Sequence, residues 1–133
     1  ANDCGIVAFD KNTGQELYRV GNYLASYSAP VLAEISGRTW CFCLMREGLL
    51  GFNPHDGSQQ VFYPFRARIL ESVNAAWPVV VDNRILISET YEKGSVLLDF
   101  DGQNLTPIWA DTGVAKRQSF RAHWATPIYH EGA

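Results

Sequence analysis

The stretch Glu47–Tyr63, EGLLGFNPHDGSQQVFY, reads as strand, tight polar turn, strand, and variants of it recur on either side. CGIVAFDKNTGQELYRV, from Cys4 to Val20, precedes it, and VLLDFDGQNLTPIWA, from Val96 to Ala110, follows it. Each turn combines Asp or Asn, which accept turn hydrogen bonds, with a Gly that supplies a positive φ. The copies are in phase. Gly14 to Gly57 is 43 positions and Gly57 to Gly102 is 45. Asp10, Asn53 and Asp99 precede the turns; Tyr18, Phe62 and Trp109 follow them at spacings of 44 and 47. Pro30, Pro78 and Pro127, at spacings of 48 and 49, mark strand starts, where a missing N–H does least harm.

Between these markers lie short apolar runs, and no window repeats apolar residues at i, i+3, i+4, i+7. The spacing predicts an all-β chain with strands at 6–9, 16–20, 29–35, 38–45, two around Asn53–Gly57, then 77–81, 84–89, 96–99 and 106–110. A period in the forties with four short strands per period is the pattern of a β-propeller blade, a small antiparallel sheet that buries its faces against its neighbours. The register predicts a half blade over 1–20, blades over 28–63 and 77–110, and the first strand of a further blade over 123–133. Propellers close with four to eight blades. We therefore expect a partial propeller, a fragment of a longer one, which self-associates or packs against the missing blades of a parent chain or another protein partner. The start ANDCG, without an initiator Met, accords with that expectation. The C-terminal strand is expected to join the N-terminal half blade.

The strand at 38–45 is apolar on both faces. Trp40, Phe42 and Leu44 share one side, and Thr39, Cys41, Cys43 and Met45 the other. Such a strand is expected to be covered on both sides. Three cysteines, Cys4, Cys41 and Cys43, cannot complete an internal disulfide set. Cys41 and Cys43 are read as buried free thiols.

The 133 residues carry a net charge of −3, which argues against nucleic acid or an anionic membrane as partner. No run of about 18 apolar residues is present, so no membrane span is expected. Lys116, Arg117 and Arg121 are read as a solvated loop.

Few residues invite a chemical reading. Asp99-Phe100-Asp101-Gly102 has the alternating carboxylates of a calcium loop but lacks the distal ligands, so it is read as a turn. His55, His123 and His130 lie in a turn, a connector and a strand end with no ligand spacing. Asn104-Leu105-Thr106 fits a glycosylation pattern, with Pro107 following. No phosphate loop, Gly-x-Ser-x-Gly or His-Glu-x-x-His occurs. We assign no catalytic, cofactor-binding or metal residue. Glu89 and Glu92 flank Tyr91 in one loop, and binding sites are expected in loops 21–28, 64–76, 88–95 and 111–124.

AFDKNTGQELYR resembles the repeat of the quinoprotein-like, pyrroloquinoline-quinone-type β-propellers, which runs roughly Ala-x-Asp-x-x-Thr-Gly-x-x-x-Trp. Ala8, Asp10, Thr13 and Gly14 match it, with Tyr18 in the tryptophan place. Asn53, Asp56, Gly57 and Phe62 form a looser copy, and Asp99, Gly102 and Trp109 a looser one still. HWATPIYHEG is similar to the first strand of secreted bacterial members. The resemblance implies that Tyr18, Phe62 and Trp109 dock against adjacent blades. It also implies a periplasmic or secreted, non-catalytic scaffold or binding module without a cofactor. Two alternatives stay open. One is part of a periplasmic alcohol dehydrogenase dependent on pyrroloquinoline quinone and calcium, whose adjacent Cys-Cys pair is here Cys41-Phe42-Cys43. The other is a carbohydrate-binding propeller.

Overall fold

The computed structural model describes residues 5–67, 69, 73–111 and 117–132. Strands β1 (Ile6–Phe9) and β2 (Glu16–Val20) form a two-stranded antiparallel sheet. Strands β3 (Val31–Ile35), β4 (Arg38–Leu44), β5 (Gly48–Phe52) and β6 (Val61–Pro64) form a four-stranded sheet in chain order. Strands β7 (Val79–Val81), β8 (Arg84–Glu89), β9 (Gly94–Phe100) and β10 (Leu105–Asp111) form another. Every pairing is antiparallel between sequence neighbours, so each sheet is a meander and none closes on itself. Among the described residues no α-helix occurs.

The turn residues act as their chemistry dictates. In the β1–β2 turn, Gly14 N–H donates to the Asp10 carbonyl at 2.8 Å and Asp10 N–H to the Gln15 carbonyl at 2.8 Å. In the β5–β6 turn, Gly57 N–H donates to the Asn53 carbonyl at 2.8 Å and Asn53 N–H to the Ser58 carbonyl at 2.9 Å. These are the same turn, built twice. Both glycines sit in the left-handed region, at φ 72° and 75°, where a Cβ is penalised. The β9–β10 turn differs. There Asp101, two positions after Asp99, accepts the amides of Gln103 and Asn104 at 2.8 and 2.6 Å, as Asp10 accepts those of Asn12 and Thr13 at 2.9 and 2.8 Å. Asp99 stays in the ladder opposite Arg84 and Thr106.

Strand β4 is the wall between two cores. Trp40, Phe42 and Leu44 pack with Leu49, Ile85, Ile87, Val96, Leu98 and Phe100 between the two four-stranded sheets. Cys41, Cys43 and Met45 face the other way, into a core with Val20, Leu50 and Phe52 that Ile6, Tyr18, Tyr23 and Phe62 close. The strand is covered on both faces, as its sequence predicts. Phe100 meets Trp40 edge-on at 4.7 Å and Phe42 at 5.5 Å, the geometry aromatic quadrupoles favour. Gly51 makes room for this packing, because a Cβ there would lie 2.7 Å from the Phe42 ring.

Two sheet faces lie outside this stack. On the two-stranded sheet, Phe9 and Leu17 are 59% and 60% exposed. On the far side of the last sheet, Val79, Leu86, Leu97 and Trp109 form a row in cross-strand register.

Residues 123–132 differ from expectation, because they contribute no strand. The two-stranded sheet of β1 and β2 has free edges, but residues 123–132 pair with neither. Instead, the Thr126 hydroxyl accepts the Trp77 N–H at 3.0 Å. Pro127, Ile128 and Tyr129 then wall a cavity of about 640 Å³ over Val79, Leu86 and Leu97.

Candidate functional site: an aromatic rim

Loops from distant parts of the chain meet at one edge of the sheets. Tyr27 belongs to the connection between β2 and β3. It is joined to the connection between β6 and β7 by its N–H, which donates to the Asn74 carbonyl at 2.9 Å. Buried Asn74 in turn donates from Nδ2 to the Met45 carbonyl at 2.6 Å. Ser26 Oγ donates to the Leu44 carbonyl at 2.5 Å and accepts the Ser28 N–H at 3.2 Å. These bonds fasten the first loop to the end of β4.

The segment after β10 is fastened to the ends of β8 and β9. Asp111 accepts the amides of Ser119 and Phe120 at 2.5 and 2.9 Å. Ser95 Oγ is 2.8 Å from both the Phe120 carbonyl and Ser88 Oγ, and Ser88 Oγ accepts the Ala122 N–H at 2.7 Å. Ser88, Ser95 and Glu89 are fully or nearly fully buried. Buried hydroxyls and carboxylates are stable only when hydrogen-bonded, and this network meets that condition.

Glu89 holds the next residue in line. One of its oxygens accepts the Tyr91 N–H at 3.0 Å, and the carboxylate lies 3.2 Å from His123 Nδ1. His123 is buried as well. Its imidazole sits between Tyr91 and Trp124, meeting both rings edge-on at centroid distances of 4.9 and 4.5 Å. Trp124 then stacks on Tyr27 at 6.2 Å with 29° between planes. Tyr91, His123, Trp124 and Tyr27 thus form a continuous aromatic strip. Tyr27 and Trp124 are open to solvent, at 70% and 71%.

The strip joins the loops expected to carry a site, but its buried anchor was not legible. Glu89 and His123 are 34 positions apart, and only the docking of the connector onto the end of β8 brings them together. The one sequence cue was a carboxylate at the apolar end of RILISE.

The other candidate residues lie elsewhere. Asp10 and Asn53 accept turn amides, Asn53 taking the His55 N–H at 3.0 Å. The amide of Thr13, then that of Asn12, holds the Asp10 carboxyl below its ordinary pKa. Tyr18 donates from its hydroxyl to the Pro54 carbonyl of the neighbouring sheet, and its ring lies against Gly57. Phe62 stacks on Tyr23 at 4.2 Å, 5° from parallel. Asp99 accepts Asn83 Nδ2 at 2.7 Å. Gly102 takes φ 93°. Trp109 is 44% exposed on the outer row of the last sheet.

Cys41 and Cys43 are buried free thiols, and burial raises their pKa values to about 11 and about 12. They are poor nucleophiles and poor metal ligands in the folded chain. Among the described residues no group of three or more His, Cys, Asp or Glu is placed to hold a metal ion. Asp101 of the calcium-like run has its carboxyl pKa lowered by the Asn104 amide first and the Asn104 side chain next. His55 and His130 are exposed, and Arg117 and Arg121 likewise face solvent. Cys4 and Lys116 lie outside the described residues. No helix among the described residues is long and apolar enough to cross a membrane, which leaves β-barrel spans unaddressed.

Comparison with known proteins returned no matching family model, no matching curated protein and no matching solved structure.

Proposed function

We propose that the chain is a non-catalytic segment of a quinoprotein-like β-propeller, acting as a scaffold that presents a binding rim. One observation carries the reading: two four-stranded antiparallel meanders in phase with the sequence repeat, stacked face to face, with apolar rows on the outermost faces that the chain itself covers only in part. A sheet with two apolar faces is stable only when both are covered. The outer faces are therefore seams, to be filled by further blades or by another protein. The resemblance of the repeat adds a periplasmic or secreted setting to this proposal.

The scaffold reading is supported by how the polar groups are used. Turn carboxylates serve turn amides, and the buried serines bond one another and the backbone. The test is to incubate the protein with pyrroloquinoline quinone and calcium, remove free cofactor, and measure retained quinone and dye-linked alcohol oxidation. The scaffold reading predicts neither retention nor turnover. Retained quinone with turnover would replace it with the dehydrogenase reading.

A further inference from the structure

We infer that the partner for the outer faces is a second copy of this chain, docked head-to-tail: the first sheet of each copy stacks on the last sheet of the other, and two copies close one ring. The inference rests on the reading of those faces as seams, and it names what fills them.

Three observations carry it. First, the two end faces repeat faces that are already joined inside the chain. Phe9, Phe52 and Phe100 each end a strand immediately before Asp10, Asn53 or Asp101 of a turn, at spacings of 43 and 48. Phe52 packs toward the first sheet. Phe100 packs toward the second, edge-on to Trp40 and Phe42. Phe9 has no preceding sheet to pack on among the described residues and is 59% exposed, and Leu17 of the same sheet is 60% exposed. The receiving face repeats as well. Leu97 stands 48 positions after Leu49 and pairs across the ladder with Leu86, as Leu49 pairs with Leu44. Leu44 and Leu49 lie in the core that receives Phe100; Leu86 and Leu97 are their counterparts on the outer row. One end of the stack therefore offers the inserting face and the other the receiving face. Unlike faces that match make a heterologous contact, not a two-fold one on a single face.

Second, the end of the chain leaves the receiving face open. Pro127, Ile128 and Tyr129 wall a cavity of about 640 Å³ over Val79, Leu86 and Leu97, and Ile128 is itself 88% exposed. This segment is shaped as the opening strand of a further sheet. Glu131, four positions after Pro127, takes φ 44°, as Asp82, four positions after Pro78, takes φ 53° at the turn that ends β7. It lacks the strands that complete such a sheet, and β1 and β2 of a second copy, which repeat β5 and β6, are the later half of one.

Third, the count closes. Each copy brings three sheets. Two copies bring six, inside the range of about four to eight at which such stacks form rings, and three copies bring nine, outside it. A heterologous contact that closes ends in a ring of fixed size instead of a fibre.

The test is sedimentation equilibrium of the 133-residue chain across micromolar concentrations, as the native protein, as Phe9→Arg, as Leu97→Arg, and as an equimolar mixture of the two variants. Circular dichroism checks folding, and Leu17→Arg and Leu86→Arg stand in for a variant that does not fold. The native chain is expected at twice the monomer mass. Each variant alone carries an unpaired charge into every seam, because each seam joins one first sheet to one last sheet. Its dissociation constant should rise about a hundredfold or more. The mixture should regain two-chain particles, since the native first sheet of the Leu97→Arg chain meets the native last sheet of the Phe9→Arg chain.

Phe9→Arg dimers as stable as the native ones, or a mixture no heavier than its components, would overturn head-to-tail docking while leaving the outer faces as seams. Mass that grows past two chains with concentration would overturn the closed ring. A folded native monomer at every concentration would overturn the inference together with the seam reading on which it rests.

Discussion

The hydroxyl of Tyr18 donates a hydrogen bond to the backbone carbonyl of Pro54, 36 positions further on in the neighbouring sheet. The ring beneath that hydroxyl lies against Gly57, where a Cβ would approach Tyr18 Cδ2 to 2.8 Å and Val20 Cγ2 to 2.7 Å. A repeat residue of one sheet is thus seated on a repeat turn of the next. Apolar contact and a satisfied carbonyl act at the same seam.

This seam separates two effects of glycine. Gly14 and Gly57 occupy equivalent turns with φ of 72° and 75°, but nothing lies within 4 Å of a Cβ built at Gly14. Gly14→Ala should cost only the left-handed backbone penalty, about 1 kcal/mol. Gly57→Ala carries the same penalty plus a clash with Tyr18 and Val20, for a total of about 2–4 kcal/mol. Tyr18→Phe should cost about 1 kcal/mol through the unpartnered Pro54 carbonyl. Urea unfolding of the three variants measures the order. Equal losses at Gly14 and Gly57 would contradict the docking of Tyr18.

The repeat made the sheets legible because it records several constraints at once. A strand such as RTWCFCLM needs apolar residues on both faces only when both faces are covered, and β4 is covered on both. Turn chemistry placed Asp10, Gly14, Asn53 and Gly57 in turns. Only the phase match of Asp99 with Asp10 and Asn53 failed: Asp99 ends the strand as read, and because the third turn is tighter Asp101 takes the amide-accepting place. The strand pattern failed at 123–132, where Thr126 bonds the Trp77 N–H and residues 127–129 lie over the last sheet instead of extending one. The rim's loops were legible as loops. The contact of Glu89 with His123 was not, since no periodicity links a strand end to a connector 34 positions away.

The buried pair at the rim gives a second prediction. His123→Ala leaves the fully buried Glu89 carboxylate without its imidazole neighbour, which should cost about 3 kcal/mol or more. Glu89→Gln, which removes the charge at similar size, should cost less. In the double variant much of the loss from His123→Ala should be recovered, so the two effects are not additive. A thermal-unfolding double-mutant cycle reads this. Additive losses would show that the two side chains are not coupled.

The buried thiols contribute to the loss of stability at alkaline pH. An unfolded thiol loses its proton near pH 9, whereas burial holds those of Cys41 and Cys43 to about 11 and about 12. Between these values the folded state binds more protons than the unfolded state, so stability falls as pH rises. The slope should approach about 1.4 kcal/mol per pH unit for each thiol above pH 9. Cys41→Ser/Cys43→Ser should flatten it while lowering stability at neutral pH. In the folded protein, thiol labelling at pH 8 should be slow at both positions and become fast in denaturant.

The central claim is that the outer rows, including Val79, Leu86, Leu97 and Trp109, are seams that another sheet must cover. The direct measurement is the mass of the purified particle by sedimentation equilibrium across micromolar concentrations, for the native chain and for Leu97→Arg. The account predicts assemblies of two or more chains that dissociate in Leu97→Arg. A cooperatively folded, monodisperse monomer at every concentration would contradict it.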